Sequence, residues 1–464
     1  GYAFVSFEQV QSTVAAVDPL ESIQVQSDSG VVLRIFKGGM NFESASNRLK
    51  ADDLLEKARA LRSLALSHAG NGYTYMPEVK EPPHADFYPP GHRIEELVGA
   101  EEILRRAREL SDQVRAAADA YAREHSLDRL YIRSSVSQRL TRHIFVDRYR
   151  NWQQVLPLSM AYIVSSTPTG QSRRVYSGGQ CGLDEVILTA GDLNELAVRP
   201  YELSRASRLE PGSYKILTGP DVTGVIAHEA FGHTQEADTC LSGRSIAPAY
   251  RERKERVGNE YATILNDPAL YRHGTESIGT NASYFFDHEG QPAARTSLIE
   301  KGFLQNPMTD LLSAVRLGLP RTANGKRESW RRPTLTRQTN TYFAAGDLSF
   351  EEVLQKVDYG FLARHSHGGM EDPKGARLTA GTEYLEEIKD GALTGRIFVG
   401  PQGGHVELSG FVPDLLASIV AASSAPADGV APLNLSGGCG KYHKEAVAAG
   451  CGGPFILWSS MNAG

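Results

Sequence analysis

The chain has 464 residues, 41% hydrophobic and 22% charged, with a net charge of −6 and a pI near 6.2. That length suffices for two or three domains with large cores. The acidic balance offers nucleic acid no basic face, no run of about 18 apolar residues offers a transmembrane helix, and cysteines at 181, 240, 439 and 451 are too scattered for a disulfide framework.

The N-terminus, Gly1–Glu8, lacks a basic region followed by an apolar core, so no signal peptide is expected. The absent initiator Met reads as a processed or engineered end, and a reduced, cytoplasmic setting is expected. Ser22–Ser27 and Gly30–Phe36 read as strands joined by a turn at Asp28–Gly30. Ala51–Ser67 reads as a helix with Leu54, Leu55, Ala58, Leu61, Leu64 and Leu66 on one side. Five prolines between Pro77 and Pro90 mark 71–92 as an extended linker or a loop laid on a neighbouring domain.

Arg93–His125 carries an apolar stripe through Leu97, Ile103, Leu104, Ala107, Leu110, Val114 and Ala118, so a long amphipathic helix is predicted. Leu130–Ser134, His143–Asp147 and Leu158–Ser165 alternate as strands of an antiparallel sheet. Asp192–Leu209 reads as a helix capped by Asp192, and Tyr214–Thr218 as a strand. Further strands are predicted at Asn281–Asp287, Ala294–Glu300 and Gly302–Gln305. A hairpin across Lys389–Gly391 joins Thr382–Ile388 to Ala392–Val399, and helices cover Phe350–Tyr359 and Pro413–Ala422. The fold class is α+β: an N-terminal α/β region with an antiparallel sheet and long helices, then a β-rich C-terminal domain. The expected units are 1–92, 93–210 and 211–464.

One stretch organises the rest. Thr223–Asp238 contains His228, Glu229 and His233, an H-E-x-x-x-H pattern on a helix that Asp221 would cap. Two imidazoles beside a carboxylate on a buried helix suit a metal ion with its own base. Histidines five apart stand about 140° apart around a regular helix. They can share one ion only if the helix bulges or ends between them, and Gly232 is the residue type that permits this. The plain alternative is a helix with two hydrogen-bonded core histidines. A third ligand is open at this point: Cys439, between glycines in Ser436–Lys441, and Cys451, in Gly450–Gly453, have the same character.

His228–Asp238, Asn324–Ser329, Arg337–Tyr342 and Gly438–Lys441 occur in this order, and together they resemble the signature segments of the TldD/PmbA family of metallopeptidases. The likeness covers about residues 210–455 well and the first 200 weakly. The resemblance implies a zinc peptidase acting on short, unfolded or modified peptides. Its Zn2+ ligands would be His228, His233 and Cys439, with Glu229 as general base. It also implies a homodimer or a heterodimer with a metal-free homologue. Two other roles compete: a non-catalytic partner or scaffold subunit, and a modulator of a DNA topoisomerase.

Lower-ranked site candidates are Asn324, Arg327, Asn340, Tyr342 and His405 for substrate, and Glu236 as a hydrogen-bond partner of a ligand imidazole. His365 and His367 form an H-x-H that departs from the family pattern and reads as a mobile loop near substrate rather than a ligand pair. Trp330 reads as exposed loop. Cys181, Cys240 and Cys451 are otherwise inert core thiols.

Overall fold

A computed structural model describes residues 1–70, 72–78, 82–270, 279–425, 437–441 and 445–464. Residues 71 and 79–81 of the proline-rich stretch and Ser436 of the cysteine loop lie outside them.

The N-terminal part is built on long antiparallel strands. β1 (Tyr2–Asp18) and β2 (Leu20–Lys37) pair along their whole length, so the chain reverses at Asp18–Leu20. The turn expected at Asp28–Gly30 is absent because β2 runs straight through it. Gly30 is there for close packing: a Cβ at that position would lie 2.1 Å from Trp330 Cδ2. Trp330 is accordingly buried rather than exposed, and its Nε1–H donates to Asp28. β3 (Met40–Ser46) follows, then α1 (Ala51–Ser67), which buries Leu61 and Ala65 and sets Leu61 against Val31 and Leu33.

The proline-rich stretch contributes β4 (His84–Phe87), parallel to β6 (Asn151–Ser166). Phe87 stacks near Trp152 and Phe285, so this part of 71–92 is docked rather than free. α2 (Ala100–His125) begins at Ala100, not Arg93, because the preceding backbone is engaged elsewhere: Val98 N–H donates to Gln138. Ile103, Leu104, Ala107, Leu110 and Val114 of its predicted stripe pack with Val136, Ala161 and Ile163 of the sheet, whereas Leu97 precedes the helix. That sheet runs β3-β2-β1-β5-β6-β4, with β5 spanning Tyr131–Asp147 and β7 (Ser172–Gly179) added beside β6. α3 (Ala190–Ser204) is capped by Thr189; Asp192 is its reciprocal partner in a capping box, not the cap itself. The helix stops before Leu209, and β8 (Ser207–Arg208) takes up the chain.

The C-terminal part starts with β9 (Gly212–Thr218) and α4 (Pro220–Glu229). β9 pairs with Tyr359–Asp372 on one side and Ile456–Ala463 on the other. The latter pairs with Val406–Phe411, which pairs with Arg377–Lys389, which returns to Tyr359–Asp372 and closes a ring. The predicted hairpin into Ala392–Val399 turns at Asp390–Gly391, both with positive φ. A smaller sheet orders Phe303–Leu304, Thr296–Glu300, Ile264–Asn266, Asn340–Phe343 and Gly450–Gly452. α4 packs into one apolar cluster with Leu378, Leu408 and Trp458 from the ring and Ile299 and Phe343 from the smaller sheet.

Asn281–Asp287 is not a strand: Gln154 of β6 accepts the Phe285 N–H at 2.9 Å and pins this segment to the N-terminal sheet. The predicted helices at 350–359 and 413–422 shorten to Phe350–Leu354 and Val412–Ala417, because Tyr359 and Ile419 begin strands. The α+β expectation stands. No described helix is long and apolar enough to cross a membrane.

Candidate metal centre

α4 is entered through Gly219 and Pro220, so Gly219 occupies the cap position expected for Asp221. Asp221 instead accepts the Ser366 N–H at 2.7 Å and so ties the helix start to the strand Tyr359–Asp372. All residues from Val222 to Glu229 are buried. The helix ends at Glu229. Ala230 departs to ψ 84° and Phe231 takes φ 65°, so the break precedes Gly232. Gly232 itself has ordinary φ −67° and is needed for space: a Cβ there would lie 1.9 Å from the His228 carbonyl oxygen. His233 then opens a short 3-10 turn, His233–Gln235. The break brings the two imidazoles together, with ring centroids 5.0 Å apart and planes at 86°.

Cys439 arrives from the short strand Gly438–Cys439, paired with Val447–Ala448. Its Sγ lies 3.2 Å from His228 Nε2 and 3.2 Å from His233 Nε2. Among the described residues, His228, His233 and Cys439 are the one cluster whose donor atoms could hold a metal, all within 4.8 Å of one another. Burial alone would raise the Cys439 thiol, but the two histidines beside it hold it well below the ordinary thiol value. Burial works the other way on His233, and Glu236 and the Cys439 sulfur outweigh it, holding the imidazole well above its ordinary value. Cys451 lines the same cavity but is not in the cluster; burial pushes its thiol up to about 12. Neither Cys439 nor Cys451 is in a disulfide.

Glu229 is buried, and its Oε2 has no hydrogen-bond partner among the described residues. It lies 4.0 Å from His233 Nε2. Burial raises its pKa against the pull of both histidines. Glu236 is fully buried and 3.3 Å from His233 Nδ1. Burial would raise Glu236, yet Lys441 and His233 hold it well below the usual carboxylate range. Lys441 Nζ sits 2.8 Å from Glu236 and 2.6 Å from Asp238. Arg337 donates at 2.6 Å to the Cys439 carbonyl, and Gln338 donates to the His228 carbonyl.

Glu371 is the neighbour that sequence reasoning missed. It accepts the backbone N–H groups of His233 at 2.7 Å and Thr234 at 3.2 Å, together with the Thr234 hydroxyl. It lies 138 positions from His233 in a strand, and no local pattern marks it. Arg337 and Gln338 do fall in a segment singled out above, whereas the residues selected there, Asn340 and Tyr342, sit elsewhere. Asn340 bonds Thr280, Ser283 and Asp267, and Tyr342 packs with Leu265 and Leu270. Asn324 bonds the Arg337 carbonyl, and Arg327 pairs with Glu43 of β3. None of these four lines the cavity beside the cluster. His405 stacks on His367, which does.

That cavity has a volume of about 1250 Å3 and is bounded by α4, β7, the strand Tyr359–Asp372 and the Cys439 loop. His365 and His367 belong to a paired strand with a bulge between Ser366 and Gly369, not to a mobile loop.

Residues 211–463 match the model of the PmbA/TldA metallopeptidase C-terminal domain. The chain belongs to the PmbA/TldD family. A metalloprotease of Methanothermobacter thermautotrophicus is 33% identical over 283 residues, covering 60% of this chain and 57% of that one. A zinc metalloprotease TldD homologue of Saccharolobus solfataricus is 27% identical over 272 residues, covering 59% and 56%. The chain thus spans about half the length of these curated relatives. Two solved structures share the fold. One, from Thermotoga maritima and described as a candidate modulator of a DNA gyrase, has a TM-score of 0.71 at 16% identity over 100% of this chain and 96% of its own. The other, TldE of Thermococcus kodakarensis, has a TM-score of 0.69 at 13% identity, again over 100% and 96%.

Proposed function

We propose that this PmbA/TldD member is a zinc-dependent peptidase in which His228, His233 and Cys439 hold the metal and Glu229 is the general base. The convergence of one sulfur and two imidazole nitrogens at 3.2 Å carries the reading. The donor set fits the ion. Two imidazoles and a thiolate are ligands that zinc prefers, and three protein ligands leave a fourth place open for chemistry. The observed separations are close to the roughly 3.5 Å set by a tetrahedral ion at about 2.0 Å from nitrogen and 2.3 Å from sulfur. The two histidines beside Cys439 favour the ionised form of its sulfur, the form that binds a metal.

Such an ion, when bound, polarises a carbonyl and lowers the pKa of its water toward about 7. The chain's own groups do the rest. Glu229 Oε2, buried and unpartnered, accepts the proton of the attacking water and returns it to the leaving amine nitrogen. A carboxylate with a raised pKa is a stronger base for that transfer than an exposed one. Glu236 accepts the His233 Nδ1–H, which fixes the tautomer and leaves Nε2 toward Cys439. Lys441 neutralises Glu236, so this charge does not add to that of Glu229. Arg337 anchors the loop that brings the sulfur.

A cavity of about 1250 Å3 is larger than a usual small-molecule site and suits an extended peptide. The substrates proposed are short, unfolded or modified peptides, met in a reducing, cytoplasmic setting that keeps Cys439 a thiol. A homodimer, or a heterodimer with a homologous subunit, is the proposed assembly, and the fold shared with a TldE chain supports it. The net charge of −6 gives direct nucleic-acid contact no support. The purified protein should carry about one zinc per chain and cleave members of a peptide library, with cleavage lost to a chelator and restored by zinc. Peptide binding without cleavage by the zinc-loaded protein would favour the scaffold-subunit reading instead.

A further inference from the structure

His365 and His367 face the cavity beside Arg173 and Arg174 of β7. Arg173 Nη2 lies 2.7 Å from His365 Nδ1, and Arg174 Nη2 lies 2.7 Å from His367 Nδ1. A guanidinium carries only donors, so both Nδ1 atoms must be acceptors and both rings carry their proton on Nε2. At His365 that N–H is already taken: Nε2 is 3.3 Å from Glu195. At His367 it is not; Nε2 has no hydrogen-bond partner among the described residues, and the side chain is exposed. Arg174 is itself anchored by Glu383 at 2.8 Å, and the His367 ring is held flat against His405, with centroids 4.3 Å apart and planes at 19°. The Arg174 donor on Nδ1 requires a neutral ring, and burial, Arg174 and His405 all push the His367 pKa below its ordinary value, in the same direction.

The place is close to the metal centre. A Cβ at Gly369 would lie 3.0 Å from Glu229 Cγ. His367 stands two positions earlier in the same strand, within roughly 7 Å of that contact.

We propose that His367 is a substrate-contacting residue whose Nε2–H donates to a backbone carbonyl oxygen of a peptide in the cavity, and that Arg174 is the positioning residue that fixes the tautomer. This role rests on the peptide-binding reading above. The chemistry selects an uncharged acceptor: a neutral donor pairs well with an amide carbonyl and gains little from a carboxylate. His365, with both nitrogens engaged, braces the wall and makes no such contact.

Two measurements test it. Long-range proton–nitrogen spectra of protein labelled at histidine should show His367 as the neutral Nε2–H tautomer, assigned by the signal lost in His367→Gln. Arg174→Met should turn that signal into a tautomer mixture. An Nδ1–H tautomer in the unmodified protein overturns the proposal. Binding of a fluorescein-labelled pool of random-sequence peptides is then compared in a Glu229→Gln background. His367→Leu should weaken binding about five- to tenfold, the worth of one hydrogen bond, while His367→Gln, which keeps an N–H donor, should stay within about twofold. Equal affinity in the His367→Leu protein overturns this role and leaves the peptidase reading intact. No peptide binding by any form, the unmodified protein included, overturns the peptidase reading and this role with it.

Discussion

The carboxylate of Glu371 accepts the backbone N–H of His233 at 2.7 Å. A residue of the closing strand thus holds the turn that delivers one imidazole to the other. Burial pushes Glu371 up to about 8, against the pull of His233 and the Thr234 donors. The side chain is therefore a structural clamp placed within the site. Glu371→Ala should free the 3-10 turn and weaken zinc binding about 10- to 100-fold, as loss of an orienting group around a metal does. Glu371→Gln keeps an acceptor oxygen and should lose far less. Competition against a chromogenic chelator measures both; equal zinc affinity in Glu371→Ala would remove the clamp role.

Glu229→Gln addresses the base. The amide keeps size and burial but cannot take a proton. Zinc content should be unchanged, while peptide hydrolysis should fall by about two to four orders of magnitude. Metal analysis beside a cleavage assay decides it, and full activity in the variant would rule Glu229 out as the base.

The two cysteines that sequence spacing could not separate are separated by geometry. Cys439 lies 3.2 Å from both histidines, whereas Cys451 is a buried thiol pushed up to about 12. Cys439→Ser should lose zinc, and Cys451→Ser should retain it. The opposite outcome would exchange their roles.

What was legible in the sequence had a local cause. The apolar stripe of α2, the hairpin at Asp390–Gly391 and the helix with its H-E-x-x-x-H pattern all announce themselves within a few residues. The need for a break between His228 and His233 followed from helix geometry alone, although the positive φ falls on Phe231 and Gly232 supplies room rather than unusual dihedrals. What was hidden depends on distant partners. Gly30 looked like a turn because Trp330, which it accommodates, is 300 positions away. Asn281–Asp287 looked like a strand because Gln154, which claims its backbone, belongs to another sheet. The chosen polar residues Asn324, Arg327 and Asn340 prove to satisfy buried backbone and carboxylate groups, a role that composition does not distinguish from substrate binding.

The last prediction concerns stability rather than chemistry. Asp310 caps the helix Leu311–Leu317, accepting the Ser313 N–H at 2.7 Å. Burial and the neighbouring Glu289 push its pKa from 3.8 up to about 7. Between those two values the unfolded chain has released the proton while the folded chain still holds it. The folded state then binds more protons, so this group's contribution is fully present below pH 3.8 and is lost as pH rises through about 7. Asparagine keeps the capping acceptor and has no proton to lose. Urea unfolding of the Asp310→Asn protein across this range should show a shallower fall in stability toward neutral pH than the unmodified chain. Parallel pH profiles would show that Asp310 does not carry this dependence.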